Sequence, residues 1–260
     1  SEELIERYPQ KLVEGELYGW YFFDLSYNQS LPGSEELLER FADEWRWSIL
    51  SKNKSLPWSE ELIERYKDKW EWSNLSCNPV LLWNESLIEC FADKWDWGEL
   101  SCNNSLAWSE ELIERYAGKW DWDILSGNKS LPWSEELIER YAGKWDWDNL
   151  SWNESLPWSE ELIERYKDKW KWSYLSENES LPWSVELLER YADKWFWNDV
   201  GGGNGLACNE SLPWSEELLK RFENKWDWKN LLYCNGVDTK IFNSWTKQEI
   251  STALERIRSA

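Results

Sequence analysis

LPWSEELIERYAGKWDWDNLSWNES, running from Leu131 to Ser155, is followed directly by LPWSEELIERYKDKWKWSYLSENES from Leu156 to Ser180. The leucine that opens each unit falls at 31, 56, 81, 106, 131, 156 and 181, a constant spacing of 25. Self-similarity at such a period marks stacked supersecondary units that bury their apolar faces against one another. One tryptophan-rich array is therefore expected over residues 1–235, with insertions near 9–19 and 201–208 that bulge as loops. In region 236–260, Thr246 to Glu249 has capping-box spacing ahead of Ile250, Leu254 and Ile257, which predicts a C-terminal capping helix.

Within the unit Leu56 to Val80, Ser59 is a natural N-cap and Glu60 and Glu61 stand where the helix dipole favours anions. Leu62, Ile63 and Tyr66 share one face, and Glu61 and Arg65 are spaced for an i,i+4 pair. The first helix is expected from Ser59 to Lys69. In the second half, Asp146 is placed to cap a short helix that turns Trp147 and Leu150 inward, with Asn153 closing it in the left-handed conformation. The predicted fold is all-α: an α-solenoid of helix-turn-helix repeats of about 25 residues.

The stretch Lys144-Trp145-Asp146-Trp147-Asp148-Asn149-Leu150-Ser151-Trp152-Asn153 resembles the tryptophan-repeat proteins of large DNA viruses and some microbes, whose units carry a W-x-W-x-x-L-S-x-N core. The likeness runs to about Asn235 and brings no transferable activity. Leu150-Ser151-Trp152-Asn153 followed by Leu156-Pro157 also partly resembles a leucine-rich repeat, which stays as the alternative fold although the L-x-x-L-x-L frame is absent.

Composition excludes much chemistry. Without a single histidine there is no Ser-His-Asp or Cys-His set and no standard zinc site, and the carboxylates all belong to the repeat, so neither an enzyme, a metal nor a cofactor is expected. A formal net charge of −21 repels a phosphate backbone, which argues against nucleic acid as a partner. No apolar run is long enough for a membrane span. The five cysteines form no CxxC pair and are odd in number, which argues against a disulfide scaffold and for a reducing cytoplasm, that of the host for a viral chain.

The 26 tryptophans could be a ladder of exposed platforms or the core. An indole buries on the order of 200 Å2, several kcal/mol at about 25 cal/mol per Å2, so the recurring rings at Trp58, Trp70, Trp72, Trp133, Trp145, Trp147, Trp158, Trp170 and Trp172 are assigned to the core. Recognition then falls to positions that change from unit to unit: Tyr27, Ile49, Lys52, Asn74, Glu99, Ile124, Asn149, Trp152, Glu154, Tyr174, Glu177 and Glu179. Glu60, Glu85, Glu110, Glu135 and Glu160 recur at one offset and form a weakly self-repelling column that a basic segment would relieve, although solubility, helped by Arg65, Arg115, Arg140 and Arg165, is a sufficient reason for them. The recurring Asn-x-Ser triplets, such as Asn53-Lys54-Ser55, are explained by the turn. The expected function is a non-enzymatic scaffold for a protein or peptide of basic or mixed charge. The alternatives are a carbohydrate or small-ligand module using Trp152, Tyr174 and Tyr27, and a self-associating structural array.

Overall fold

The computed structural model describes residues 25–29, 35–197, 205–226 and 228–231 and the single positions 248, 252 and 255. Among them are fifteen α-helices and no strand. The chain divides into two compact units, Ser1–Pro132 and Trp133–Ala260. In the first unit lie α1 (Glu35–Arg40), α2 (Trp47–Leu50), α3 (Glu60–Arg65), α4 (Trp72–Ser76), α5 (Glu85–Cys90), α6 (Trp97–Cys102), α7 (Glu110–Arg115) and α8 (Trp122–Ser126). The second unit holds α9 (Glu135–Arg140), α10 (Trp147–Trp152), α11 (Glu160–Arg165), α12 (Trp172–Glu177), α13 (Val185–Arg190), α14 (Glu216–Arg221) and α15 (Trp228–Leu231). Each unit is an α-solenoid stack of helix-turn-helix repeats in which second helices follow one another: α4 packs on α6, α6 on α8, and α10 on α12.

Ser59 caps α3 as its sequence predicts: its extended backbone lets Oγ accept from Leu62 N–H. The helix, however, ends at Arg65 rather than near Lys69. Beyond it the backbone turns on Tyr66, whose carbonyl accepts from both Lys69 and Trp70 N–H. That turn folds Trp70 back so that its Nε1–H donates to Ile63 C=O, 3.2 Å away. Continuing the helix would carry Trp70 away from the face formed by Leu62 and Ile63.

Repeats are joined by two devices. The second tryptophan of each W-x-W reaches forward into the next repeat: Trp47 stands edge-on to Trp70 at 4.7 Å and tilted against Tyr66 at 4.9 Å. The same triplet recurs at Trp97 with Tyr116 and Trp120, and in the second unit at Trp147 with Tyr166 and Trp170. The second device is a polar ladder. Ser51 Oγ donates to Trp47 C=O and accepts from Glu71 N–H of the next repeat, thereby satisfying the N-cap amide of α4. Asn78 Nδ2 donates back to Ser51 and Asn53 C=O of the preceding repeat, while its Oδ1 accepts from Val80 N–H.

This ladder corrects the expected closure of the second helix. Asn153 is extended, at φ −77° and ψ 110°, and no non-glycine residue among those described has positive φ. The side chain makes the turn, its Oδ1 accepting from Ser155 N–H, so the backbone has no need of the left-handed region. Asp146 does cap α10, with Oδ1 accepting from Asn149 N–H at 2.7 Å. The ladder asparagines, from Asn53 to Asn209, are buried, which gives the recurring triplets a structural use.

The expected loop at 201–208 is only partly one. Leu206–Cys208 form a 3-10 turn that restores the L-S-x-N register: Leu206 is fully buried and Asn209 Nδ2 donates to Ser176 and Asn178 C=O. Residues 201–204 and the insertion near 9–19 lie outside the described residues. So does the expected capping helix over 236–260, apart from Gln248, Thr252 and Glu255, which are helical. Cys208 is disulfide-bonded to a sulfur outside the described residues, so the cysteines no longer argue for a reducing compartment. Cys77, Cys90 and Cys102 are free. Among the described residues no helix is long and apolar enough to cross a membrane.

Replacing Asn78 with Ala strands the Ser51 carbonyl and the Val80 amide, while Asn53 C=O keeps the Trp58 indole N–H, and is expected to destabilise the first unit by about 2–3 kcal/mol. The exposed Asn104→Ala is expected to stay within about 0.5 kcal/mol. Urea unfolding of the full chain, with amide exchange at the Ser51–Asn53 segment, measures both.

Candidate interaction surface

The recurring tryptophans divide into two populations. Trp58, Trp70, Trp145 and Trp170 are buried. Trp72, Trp133, Trp147, Trp158 and Trp172 are half-buried, so the uniform core assignment needs correcting for these rings. Trp72, Trp147 and Trp172 keep one face outside because they clasp the next repeat, whose lysine covers it: Lys94 Nζ lies 5.7 Å from the Trp72 ring and Lys169 Nζ 4.8 Å from that of Trp147. Trp133 and Trp158 pack tilted on Trp145 and Trp170, each at 5.0 Å.

The clasping lysines also anchor charge. Lys69 pairs with Asp43 at 2.7 Å, Lys94 with Asp68, Lys119 with Asp93 and, in the second unit, Lys194 with Asp168, each aspartate belonging to the preceding repeat. The Lys69 ammonium, by hydrogen bond and charge, holds the Asp43 carboxyl below its usual range. The expected Glu61–Arg65 pair does not form, because Arg65 reaches back to Glu35 at 2.8 Å. Arg115, Arg165 and Arg190 likewise reach Glu85, Glu135 and Glu160. A column of mutually repelling glutamates is thus largely neutralised from within.

The unit-variable positions occupy the second helices and the turns after them. In the first unit Tyr27 is 69% exposed and Ile124 41%, Lys52 is exposed, and Ile49, Asn74 and Glu99 are half-buried. Asn74 is committed to stacking, since its Nδ2 donates to Ser48 C=O of the preceding repeat at 2.8 Å. Cys77 and Cys102 stand near Glu99, and burial, then that carboxylate, pushes both thiols up, away from reactivity. In the second unit Trp152 is 51% exposed and meets Tyr174 of the next repeat edge-on at 5.6 Å. Lys171 and Asp148 pair at 3.7 Å on the same two helices, α12 and α10. Asn149, Glu154 and Glu179 are exposed and Glu177 is half-buried.

Sequence reasoning passed over Val80 and Leu82, which are 39% and 72% exposed. Val80 replaces the serine of both neighbouring repeats and Leu82 stands where they carry Pro57 and Ala107, and alignment of the units carried that signal. No protein-family model, curated protein or solved structure matches this chain.

Tyr191 links two repeats in the second unit, its hydroxyl donating to the Glu164 carboxylate. Burial, aided by that bond, pushes the phenol from its ordinary 10.0 up to about 12. The folded state therefore holds this proton more tightly than the unfolded chain, and its contribution is complete below the ordinary phenol value. Stability of the second unit is expected to fall as pH rises from 10.0 to about 12, and the loss should shrink in Tyr191→Phe. Thermal denaturation across that range checks it. Trp152→Ala is expected to cost less than about 1 kcal/mol, against about 3–5 for Trp170→Ala, by urea unfolding of the two variants.

Proposed function

We propose that this chain is a non-enzymatic repeat scaffold that binds a protein or peptide segment of basic or mixed charge through its unit-variable positions. One observation carries the reading. Of the six exposed large hydrophobic side chains among the described residues, Tyr27, Ile124, Trp152 and Tyr174 stand at variable positions of second helices or their turns. The stack takes most of its joining groups from recurring positions, Asn74 being an exception, so the exposed surfaces of these rings and of Ile124 are left for a partner.

The net charge of −21 favours a partner with basic residues, and the pair Trp152 and Tyr174 offers two amphipathic ring surfaces at one place. The same pair favours a second reading, a sugar ring held against the exposed indole face. Binding through water-exposed aromatics and charge predicts different salt responses for the two ligands.

A peptide-display library panned against the full chain separates them. The expected binders carry basic residues beside apolar ones, are released as salt is raised, and weaken about tenfold or more in both Trp152→Ala and Tyr174→Ala. Binders indifferent to both substitutions would overturn the scaffold reading. Salt-insensitive quenching of tryptophan fluorescence by glycans, lost in Trp152→Ala, would replace it with the second.

A further inference from the structure

One junction of the first unit departs from the pattern in several ways at once. At four junctions the arginine ending one first helix reaches back to the first glutamate of the helix before, whereas Arg221 meets Glu189, with Val185 at the glutamate's offset. Arg65 meets Glu35 at 2.8 Å and Arg115 meets Glu85 at 3.3 Å. In the second unit Arg165 meets Glu135 at 3.1 Å and Arg190 meets Glu160 at 2.9 Å. The residue placed to serve Glu60 in this way is Cys90. Among the described residues no cation lies within ion-pair distance of Glu60.

At the same junction Leu82 stands where the preceding unit has Pro57 and the following one Ala107, Val80 replaces the serine two residues before and Asn84 the capping serine. A cavity of about 260 Å3 opens there, with Glu60 and Glu61 on one side and Trp58, Ile63, Leu82 and Leu87 among its apolar walls. At the matching junction of the second unit a recess lined by Glu160, Glu161 and Glu164 also has Arg165 and Arg190 in its lining. The first unit thus keeps the carboxylates of a site whose cation every sibling junction named above supplies from within. It adds exposed apolar surface beside them.

We propose that this recess receives an arginine side chain from a basic segment of a partner protein. The guanidinium takes the Glu60 carboxylate that Cys90 leaves unserved, and the methylene stem lies along Leu82 and Leu87. Arginine is chosen over lysine by the chain's own usage. Between repeats these glutamates pair with arginine and the lysines with the separate aspartate column, lysine meeting glutamate within one repeat, as Lys67 does Glu64 and Lys220 does Glu216. The net charge of −21 favours approach of such a segment. The site is separate from the variable second-helix face, so Trp152→Ala and Tyr174→Ala are expected to leave it unchanged.

Fluorescence polarisation with the full chain tests this. The probe is a labelled five-residue peptide with one central arginine between leucines, compared with the same peptide carrying lysine or uncharged, isosteric citrulline. The arginine peptide is expected to bind saturably, and the citrulline form at least about tenfold more weakly, with lysine between them. Glu60→Gln should reduce arginine binding by a similar factor. Cys90→Arg, which installs the residue found at sibling junctions, should abolish it while leaving the fold intact. The proposal fails if arginine and citrulline bind alike, if either substitution leaves binding unchanged, or if the arginine peptide does not bind. Self-association of the chain that Glu60→Gln abolishes would assign the recess to a second copy and overturn the partner assignment.

Discussion

An indole inserted from one repeat into the next is the contact on which the stack depends. A unit of 25 residues with two helices of four to six residues cannot bury an apolar face by itself, and helices this short have no independent stability. Trp97 solves both problems for its junction. Its ring closes over Tyr116 and Trp120 of the following repeat, and its backbone carbonyl receives the Ser101 hydroxyl that in turn accepts from Asp121 N–H. Aromatic packing and the serine–asparagine ladder are therefore one joint, because the same tryptophan supplies both the ring and the carbonyl.

This joint explains the division of labour along the sequence. The two tryptophans of W-x-W, the leucine, the serine and the asparagine are each consumed by contacts with their own or an adjacent repeat, so they recur. Asp148, Asn149 and Trp152, which stand between these residues, are exposed and vary from unit to unit, although Asn74 at the offset of Asn149 also reaches Ser48 C=O of the preceding repeat. The charged positions follow the same logic: arginine to glutamate and lysine to aspartate run from one repeat to the one before, and a repeat that drops its arginine exposes the carboxylate it would have met.

Much of this was legible in the sequence. The period, the all-α class and the serine and aspartate caps follow from spacing and local hydrogen-bonding chemistry. What was illegible depends on the neighbouring repeat. Nothing in Tyr66-Lys67-Asp68-Lys69 marks the helix as ending at Arg65, because the stop comes from folding Trp70 back onto Ile63. The Glu61–Arg65 spacing was sound helix chemistry overruled by a closer glutamate, Glu35, in the preceding repeat. Asparagine's tolerance of the left-handed region suits Asn153 to a helix closure, whereas its side chain serves the turn itself and leaves the backbone extended. Of the candidate surface, the exposure of Trp152 and Tyr174 followed from variation between units, but their contact with each other, and the recess beside Leu82, required coordinates.

Native-state amide exchange on the full chain and on Trp97→Ala tests the central claim most directly. If the inserted indole holds the joint, protection is lost on both sides of it, at the Ser101 segment of its own repeat and around Tyr116 and Trp120 of the next, while α2 keeps its protection. Exchange that changes only within the repeat carrying the substitution would contradict the account, since the ring would then be packing at home rather than joining neighbours.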